Sequence, residues 1–568
     1  MNRNLSSATL LCAVLWLLVV NPAQAIDGGT LRVNTLNGWE AFEVITQGDN
    51  PTGDGFNYSM PSIFDGASAW LVDPFTLRVQ VNHEKTDASI SEIDLNLANL
   101  RAAISNMIDN GNTGGVSFVL SARQAYGRWS DNGGSSFTNT SSTSNTSFSR
   151  FCSSQAYIPN TFGPDRGFVD HLYVTGEEVS GGRLFALDSI NRDLYQLSGT
   201  TGSAPGGIGG MPFDAWENAA LLDTGETEYV ALLLSPDGGS EELKLYIGEK
   251  GRDTSGNVSN SILARNGLAY GSWYYLNGSL PSLGNTNGGT FDTSSSGALS
   301  STKLEDIDTS PSDPTRVVLG DQDSGVFTLD FDLVFSGGFS SGASSFTVTK
   351  ISNEGGGGGS LSSPDNVDWT NPTTLGGTFY SEGLIFVNED NDSGEIWHMN
   401  PDGSNQVQIG STTVNGESTG IFDLSNLVGY APGSILITNN QGTPASMTVL
   451  INPNVEASTG AGRVTQLRID KLSPTSLQLD WQSSCSADDD NYAVYVGELG
   501  LFTSHTLEIC DTAGVTTTSV SMPADNRYYL VVPIDGPEEG SYGTDSDGVE
   551  RPVGLAICAT QTMVPPCP

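Results

Sequence analysis

The sequence predicts an all-β protein, a β-propeller of about six blades followed by a small β-sandwich. Short apolar segments recur along most of the chain, and each is bounded by turns rich in Gly, Pro, Asp or Asn. The 68 glycines and the long Ser/Thr/Asn stretches favour turns over helices. A strand-and-turn unit that repeats without helices is typical of propellers, whose four-stranded blades stack around a central axis.

The first 25 residues have the pattern of a secretory signal peptide. Arg3 gives a basic start, residues 8–20 are apolar, and Ala23-Gln24-Ala25 forms a cleavage site of small residues. No later apolar run is long enough to span a bilayer. We therefore expect a chain without a membrane span, secreted to the extracellular space or the periplasm after cleavage near Ala25.

The chain is strongly acidic, with 65 Asp and Glu against 23 Lys and Arg and a formal net charge of −42. Such a surface repels nucleic acids and anionic membranes. It suits a chain that binds several divalent cations. We expect divalent cations as partners and no nucleic acid.

The repeated unit consists of an acidic or amide residue, a short apolar strand, a turn and a longer β-run. It occurs at 68–84, 170–188, 217–248, 304–333, 364–403 and, more weakly, 420–440. Residues 26–452 are therefore predicted to form the propeller domain. The exception is 89–110, whose apolar residues Ile93, Leu97, Leu100 and Ile104 have helical spacing and predict a helix that covers one face.

The C-terminal part is predicted to be a separate module. Residues 453–463 are predicted to be a linker, and 464–568 a β-sandwich similar to fibronectin type III domains, with alternating Leu477, Leu479 and Trp481. Four cysteines lie in this module, where an oxidising exterior favours disulfides. The pairs 485–510 and 558–567 are plausible, but sequence alone leaves the connectivity open. Such a module could bind a surface partner.

Acidic residues open several of the predicted blades. Because the innermost strands of a propeller surround its axis, these side chains are expected to converge: Glu177, Glu178, Glu217, Glu305, Asp306 and Asp365. Carboxylates this close need raised pKa values or bound cations. Oxygen ligands in this number suit calcium, and a thiolate from Cys152 would suit iron or another transition metal.

Each of these residues also has a structural interpretation. Glu177 and Glu178 could lie in a solvated turn, Asp365 could form an Asx turn after Pro364, and Cys152 could be an inert buried thiol. Glu217 follows the apolar Trp216, which favours a buried carboxylate that needs a partner. The chain has 4 histidines, all isolated, so the usual histidine-rich zinc sites are not indicated.

Several motifs resemble those of the PhoX-type alkaline phosphatase family, in order, over roughly residues 60–440. They are "DGASAWLVDPFTLRVQVNHE", "FCSS" with the later "YVTGEE", "ENAALLDT", "EDIDTSPSDPTRVV" and "PDNVDW". The resemblance implies a six-bladed propeller that holds iron and calcium in its tunnel and hydrolyses phosphate monoesters. It also implies that Cys152, Glu217 and Glu305 are catalytic iron ligands, and that Glu177, Glu178 and Asp365 are ligands of calcium or of a shared shell.

The leading hypothesis is thus a secreted metal-dependent phosphatase acting on small phosphate esters. A non-catalytic calcium-binding propeller, used for extracellular binding, is the alternative, because a fold does not determine a function. A hydrolase of another ester, such as a lactone, is a third hypothesis.

Overall fold

The computed structural model describes residues 31–51, 58–73, 75–140, 148–197, 213–239, 241–355, 360–413, 416–456, 461–464, 467–484, 486, 489, 491–544, 550–554 and 556–562. The predicted signal peptide lies outside this part of the chain. No helix within these residues has the length and the apolar run that a membrane crossing needs.

The predicted all-β propeller fold is confirmed, because six antiparallel four-stranded units form a ring of blades. The strands of each blade are given from the innermost outward. The first two blades are Phe64–Asp73, Thr76–His83, Ser89–Asn96 and Val119–Gln124 (blade 1), and Phe151–Tyr157, Leu172–Glu177, Leu184–Asp188 and Asp193–Gln196 (blade 2). The next two are Trp216–Leu222, Tyr229–Pro236, Lys244–Glu249 and Gly271–Asn277 (blade 3), and Leu304–Thr309, Arg316–Asp321, Gly325–Asp332 and Ser345–Asn353 (blade 4). The last two are Pro364–Trp369, Ile385–Glu389, Glu395–Met399 and Val407–Thr412 (blade 5), and Ser418–Asp423, Ile435–Asn440, Ser446–Ile451 and Glu40–Thr46 (blade 6).

Among the described residues, the remaining propeller elements are short strands at the blade edges and three helices. The strands are Val33–Thr35, Arg128–Ser130, Thr138–Asn139, Glu241–Glu242, Thr286–Asp292, Ser300–Ser301, Thr373–Leu375 and Thr378–Tyr380, and the helices are Leu97–Asn110, Ile262–Arg265 and Ser425–Val428. The strand Thr286–Asp292 pairs with the outermost strands of both blade 3 and blade 4, so these two blades share one continuous sheet.

The ring is closed by an early segment of the chain. The strand Glu40–Thr46 is the outermost strand of blade 6 and pairs with Ser446–Ile451, which comes from the end of the propeller. Consecutive innermost strands contact one another around the ring, from blade 6 back to blade 1. Closure therefore joins segments about 400 residues apart and brings the six innermost strands together around one axis.

The segment 89–110 is not a single helix, so this prediction is wrong in its first half. The structure divides the segment into a strand, Ser89–Asn96, and a helix, Leu97–Asn110. The strand pairs with the second and fourth strands of blade 1, and this tertiary pairing outweighs the helical spacing of the apolar residues. The helix begins where the side chain of Asn96 accepts a 2.9 Å hydrogen bond from the N–H of Asn99.

The C-terminal module consists of two sheets packed as a sandwich, with antiparallel pairing except that Thr560–Gln561 pairs in parallel with Glu538–Glu539. One sheet has Leu467–Ser473, Ser476–Trp481 and Thr517–Ser521, and the other has Asn491–Glu498, Thr506–Ile509, Arg527–Asp535, Glu538–Glu539 and Thr560–Gln561. Leu479 and Trp481 of the first sheet pack against Tyr492 and Val494 of the second, as expected where the inner faces of two sheets form one core. The similarity to fibronectin type III domains stays a prediction.

The disulfide in this module joins Cys510 to Cys558, so the two expected pairings are wrong. Cys510 follows an edge strand of the larger sheet, and the N–H of Cys558 donates to the hydroxyl of Tyr495 on the neighbouring strand. The sheet thus brings together two cysteines that are 48 residues apart in the chain. Cys485 and Cys567 lie outside the described residues.

We expect the closing strand to be essential for stability. Phe42 on this strand is 7% exposed and its ring packs edge-on against Phe118, with 5.7 Å between centroids. Replacing it with alanine (F42A) should lower the free energy of unfolding by about 3–5 kcal/mol, because it removes buried apolar surface and leaves a cavity. The matched control is F379A, since Phe379 is 68% exposed. Denaturant unfolding measures both, and equal effects would contradict a closing role for this strand.

Candidate metal centre

Each innermost strand of the propeller carries a β-bulge at the same height in the ring. The pairing with the second strand is regular on both sides of the bulge but shifts by one residue across it. A β-bulge changes the direction in which the strand's side chains point, and here it does so at the start of every blade. The first bulge residues, which we call the bulge ring, are Asp65, Cys152, Glu217, Glu305, Asp365 and Gly420.

A second set of polar side chains surrounds the bulge ring. It consists of the residue that follows the end of the second strand in each blade, which lies beside the bulge because the two strands are antiparallel. These residues, which we call the rim ring, are Glu84, Glu178, Asp237, Gln322, Asp390 and Gln441. Eleven of the twelve positions in the two rings carry a carboxyl, carboxamide or thiol group, and the exception is Gly420.

Three overlapping groups of side chains place their ligand atoms within 4.8 Å of one another. The groups are Asp65, Glu84 and Cys152; Cys152, Glu178 and Glu217; and Glu217, Glu305 and Asp365. Since they share Cys152 and Glu217, they form one continuous set of possible ligands, which we call the axial cluster. The structure thus brings together five of the predicted site residues: Cys152, Glu178, Glu217, Glu305 and Asp365.

Glu177, the sixth predicted ligand, has a different environment from its neighbour Glu178. Adjacent residues of a strand point to opposite faces, so Glu177 faces into its own blade. There Arg183 donates two hydrogen bonds of 2.6 and 2.7 Å to its carboxylate, and the N–H of Ser149 donates a third of 2.9 Å. The carboxylate of Glu177 therefore braces the blade 2 hairpin.

Asp306, also expected near the axis, links blades rather than joining the axial cluster. Its carboxylate accepts hydrogen bonds from the N–H of Ile307 at 2.9 Å and from the N–H of Val367 at 3.0 Å. Asn218 of blade 3 also donates to it. Through these hydrogen bonds, Asp306 of blade 4 connects blade 3 to the innermost strand of blade 5.

Burial dominates the electrostatics of the axial cluster. Glu217 is fully buried, and burial raises its pKa to about 7, although the N–H of Ser153 donates a 3.3 Å hydrogen bond that favours the ionised form. Burial and then the charge of Glu217 raise the pKa of Glu178 to about 10. Burial, followed by the nearby Glu305 and Glu217, raises the pKa of Asp365 well above its usual range. Without cations, burial and mutual repulsion favour the protonated forms of these groups.

The thiol of Cys152 lies among these carboxylates. It is 7% exposed, is not disulfide-bonded, and its Sγ is 3.5 Å from Oδ2 of Asp65. Burial and the charge of Asp65 raise its pKa well above the usual value for a thiol. A thiolate here requires a metal ion or another positive charge beside it.

The donor set fits metal ions. Oε2 of Glu217 and Oδ1 of Asp365 are buried and accept no hydrogen bond from the described residues. Unpartnered buried carboxylate oxygens are costly, and a cation between them removes that cost. Several carboxylates suit calcium, and carboxylates with one thiolate suit iron or another transition metal.

Two basic side chains contact the axial cluster from the outside. Arg150 is 2.5 Å from both Glu84 and Glu178, and Lys303 is 2.5 Å from Asp237 and 3.2 Å from Glu305. Both are partly exposed, at 46% and 33% of the side chain. Arg150 also lines a cleft of about 670 Å³ beside the cluster, together with Glu178 and Asp237.

Hydrogen bonds between neighbouring blades hold the bulges in place. The carbonyl of Cys152 accepts from Asn82 at 2.5 Å, and the carbonyl of Phe64 accepts from Thr419 at 2.9 Å. Asn366 donates to Ser153 at 2.6 Å across the axis. The bulge ring is therefore fixed by buried amide and hydroxyl groups.

Asp65 and Glu84 belong to the axial cluster but were not predicted as ligands, and neither were Asp237, Lys303 and Arg150. A sequence signal for Asp65 exists. Five innermost strands contain an apolar residue or proline, then Asp, Glu or Cys, then a small or polar residue: Phe64-Asp65-Gly66, Phe151-Cys152-Ser153, Trp216-Glu217-Asn218, Leu304-Glu305-Asp306 and Pro364-Asp365-Asn366. Alignment of these triplets would have identified the acidic residue of blade 1.

The fold and the site define a β-propeller with a buried carboxylate–thiol cluster on its axis. No family model matches the sequence, and no curated protein matches it. Among solved structures, the chain is similar to "Structure of Dos1 propeller", with 8% sequence identity, 69% of each chain covered and a TM-score of 0.27. It is also similar to BBS1N in complex with ARL6DN, soaked with lead, with 8% identity, 73% of this chain and 97% of that chain covered, and a TM-score of 0.31. Both TM-scores are below 0.5, and the propeller fold is defined by the pairing of the strands within each blade.

The raised pKa of Glu217 predicts a pH dependence of the chelator-treated protein. Burial raises the pKa of Glu217 from 4.5 in the unfolded chain to about 7 in the folded protein. The folded state therefore gains stability from proton binding at Glu217 below pH 4.5, and this contribution is lost as the pH rises through 7. The thermal midpoint should therefore fall between pH 5 and pH 8, and it should fall less in E217Q.

The control for this experiment is E226Q, since Glu226 is exposed in a turn of blade 3. Added calcium should oppose the decrease in the wild type. An identical pH dependence in the wild type and E217Q would contradict the electrostatic description of the axial cluster.

Proposed function

We propose that the protein is a secreted metal-dependent phosphatase that hydrolyses phosphate monoesters at the axial cluster. The observation that carries this proposal is the continuous set of buried carboxylates around one thiol, at the position where all six blades begin. The order of motifs that resembles the PhoX-type phosphatases supports the same activity, since its cysteine and four of its acids, Glu178, Glu217, Glu305 and Asp365, fall on this cluster.

The donor types suggest how metals would be distributed. As the resemblance implies, Cys152, Glu217 and Glu305 would hold iron, and a thiolate favours such a transition metal. Asp65, Glu84, Glu178 and Asp365 offer only oxygen and would hold calcium or complete the shared shell. Bound cations would supply positive charge that polarises the phosphoryl group of the substrate.

The two basic side chains beside the cluster would orient the substrate. A phosphate monoester is repelled by a chain with a net charge of −42, so it needs local positive charge at the mouth of the site. The guanidinium of Arg150 suits two oxygens of one phosphoryl group, and the ammonium of Lys303 suits a third. Both are partly exposed at the cluster, so an incoming phosphate can reach them.

A second candidate function is a non-catalytic calcium-binding propeller. Arg150 and Lys303 are each already paired with two carboxylates, an arrangement that also occurs in a purely structural site. In that case cations would stabilise the fold and the exposed surfaces would bind a partner. A hydrolase of another ester would use the same cluster and differ in substrate.

Turnover of p-nitrophenyl phosphate by the secreted protein tests the proposal. We expect hydrolysis that chelators abolish and that calcium and iron restore, and a decrease of about 100-fold or more in kcat for E217Q and C152S. E226Q is the control and should keep full activity.

Undiminished hydrolysis by E217Q would contradict the proposal. Calcium-dependent melting without turnover of phosphate esters would favour the non-catalytic propeller. Turnover of a lactone with no turnover of phosphate esters would favour the third activity.

The role of Lys303 gives a separate prediction. K303Q should lower kcat/KM for p-nitrophenyl phosphate by about 10- to 100-fold, mainly through KM, because a charged hydrogen bond to the phosphoryl group is lost. The metal content should remain unchanged. K471Q, at an exposed lysine of the sandwich, is the matched control. An unchanged KM in K303Q would exclude this lysine from substrate binding.

A further inference from the structure

A second cavity lies further along the innermost strands, beyond the axial cluster. Its volume is about 180 Å³, and it is lined by segments of blades 1, 2, 4, 5 and 6: 66–68, 154–157, 306 with 308–311, 366–368 and 420–422, with Thr161 and Phe162 of a blade 2 loop. The lining residues follow the bulges in sequence, so the cavity lies towards the opposite end of the axis from the rim ring. We call it the distal cavity.

A layer of hydrogen bonds separates the distal cavity from the axial cluster. Asn366 donates to Ser153 at 2.6 Å and accepts from the N–H of Gly420 at 2.6 Å, which connects blades 2, 5 and 6. Asn218 donates to the carbonyl of Ile307 at 3.1 Å and thereby connects blades 3 and 4. A ligand in the distal cavity would therefore not contact the predicted metal ligands.

The distal cavity is lined by three acidic side chains and contains one unpartnered acceptor. Its described lining includes Asp306, Asp308 and Asp368 but no Lys, Arg or His. The carboxylate of Asp308 is occupied by the N–H of Trp369 at 2.6 Å and the N–H of Thr309 at 2.8 Å. Asp368 is 8% exposed, and its Oδ2 accepts no hydrogen bond from the described residues. The cavity thus offers a buried carboxylate oxygen that lacks a donor.

The walls around this carboxylate are largely apolar. They include aromatic rings, an aliphatic side chain and a proline: Tyr157, Phe162, Pro311, Ile421 and Phe422. An anion would find no basic side chain in the described lining of the cavity, only the three acidic ones. A hydrated metal ion gains nothing from such walls, and the groups of the described residues that could hold a metal all lie in the axial cluster. A cation with an alkyl body matches both parts of the lining, since aromatic faces attract alkylammonium groups.

We propose that the distal cavity binds a small organic ammonium ion. Its nitrogen would lie against Asp368 and Asp308, and its alkyl part against Phe162 and Phe422. The volume is below the roughly 300–1,000 Å³ of pockets for drug-sized ligands, so the ion has only a few carbon atoms. This inference is independent of the proposed phosphatase activity, because it concerns a separate site and is measured by binding.

Isothermal titration calorimetry of the calcium-loaded full-length protein tests the proposal. The probes are methylammonium, whose N–H groups can donate to the unpartnered oxygen of Asp368, and choline with its uncharged isostere 3,3-dimethylbutan-1-ol, in which carbon replaces the quaternary nitrogen. We expect choline to bind at least about tenfold more tightly than the isostere, and D368N to lose at least about tenfold in choline affinity. F162A should also lower the affinity for choline, whereas E226Q should bind choline as tightly as the wild type does.

Three outcomes would overturn the proposal: no binding of choline or methylammonium by the wild type, equal affinity for the isostere, or unchanged choline affinity in both D368N and F162A. Displacement of choline by further calcium would show that the cavity is a metal site instead. If D368N does not fold, as judged by circular dichroism, F162A alone decides, because Phe162 lies in a loop and is only partly buried.

Discussion

The mutual repulsion of buried carboxylates on the propeller axis is the constraint on which the rest of the structure depends. Asp65, Glu217, Glu305 and Asp365 are each at most 6% exposed. Burial raises the pKa of each, and the charges of neighbouring carboxylates raise it further. Such groups stay together only if protons or cations neutralise them. Cations beside the buried oxygens that accept no hydrogen bond from the described residues would reduce this repulsion.

The blade geometry explains why these groups meet at all. Every innermost strand begins with a bulge, and ring closure through Glu40–Thr46 brings the six bulges to one level. The strand Pro364–Trp369 illustrates the division of roles along the axis. Asp365 belongs to the axial cluster, Asn366 to the separating layer, and Asp368 to the distal cavity. One short strand therefore contributes to two sites of different chemistry.

Local sequence patterns predicted the blades well, because turns rich in Gly, Pro and Asp lie between strands whose pairing partners are close in the chain. The predicted ligands Glu217, Glu305 and Asp365 were expected at blade starts, whereas the prediction for Cys152 rested on its thiol chemistry and on the resemblance to the PhoX-type family. The orientation of Glu177 was not predictable from composition, because a shift of one residue reverses the face of a strand side chain.

Features that depend on distant segments were not predictable in the same way. Asp65 and Glu84 belong to a blade whose start was not recognised. The strand Ser89–Asn96 depends on its neighbours in blade 1, and the Cys510–Cys558 disulfide depends on the folded sandwich. In each case the deciding contact is made by residues far apart in the chain, so local periodicity carries little information about it.

The most direct test of the central claim is a crystal structure of the protein grown with calcium and iron, with anomalous difference maps that locate both metals. The account predicts an iron peak beside Cys152, Glu217 and Glu305 and calcium peaks among the neighbouring carboxylates. A well-ordered propeller from metal-containing solution, with no metal density on the axis and with these carboxyl groups hydrogen-bonded to one another as acids, would contradict it.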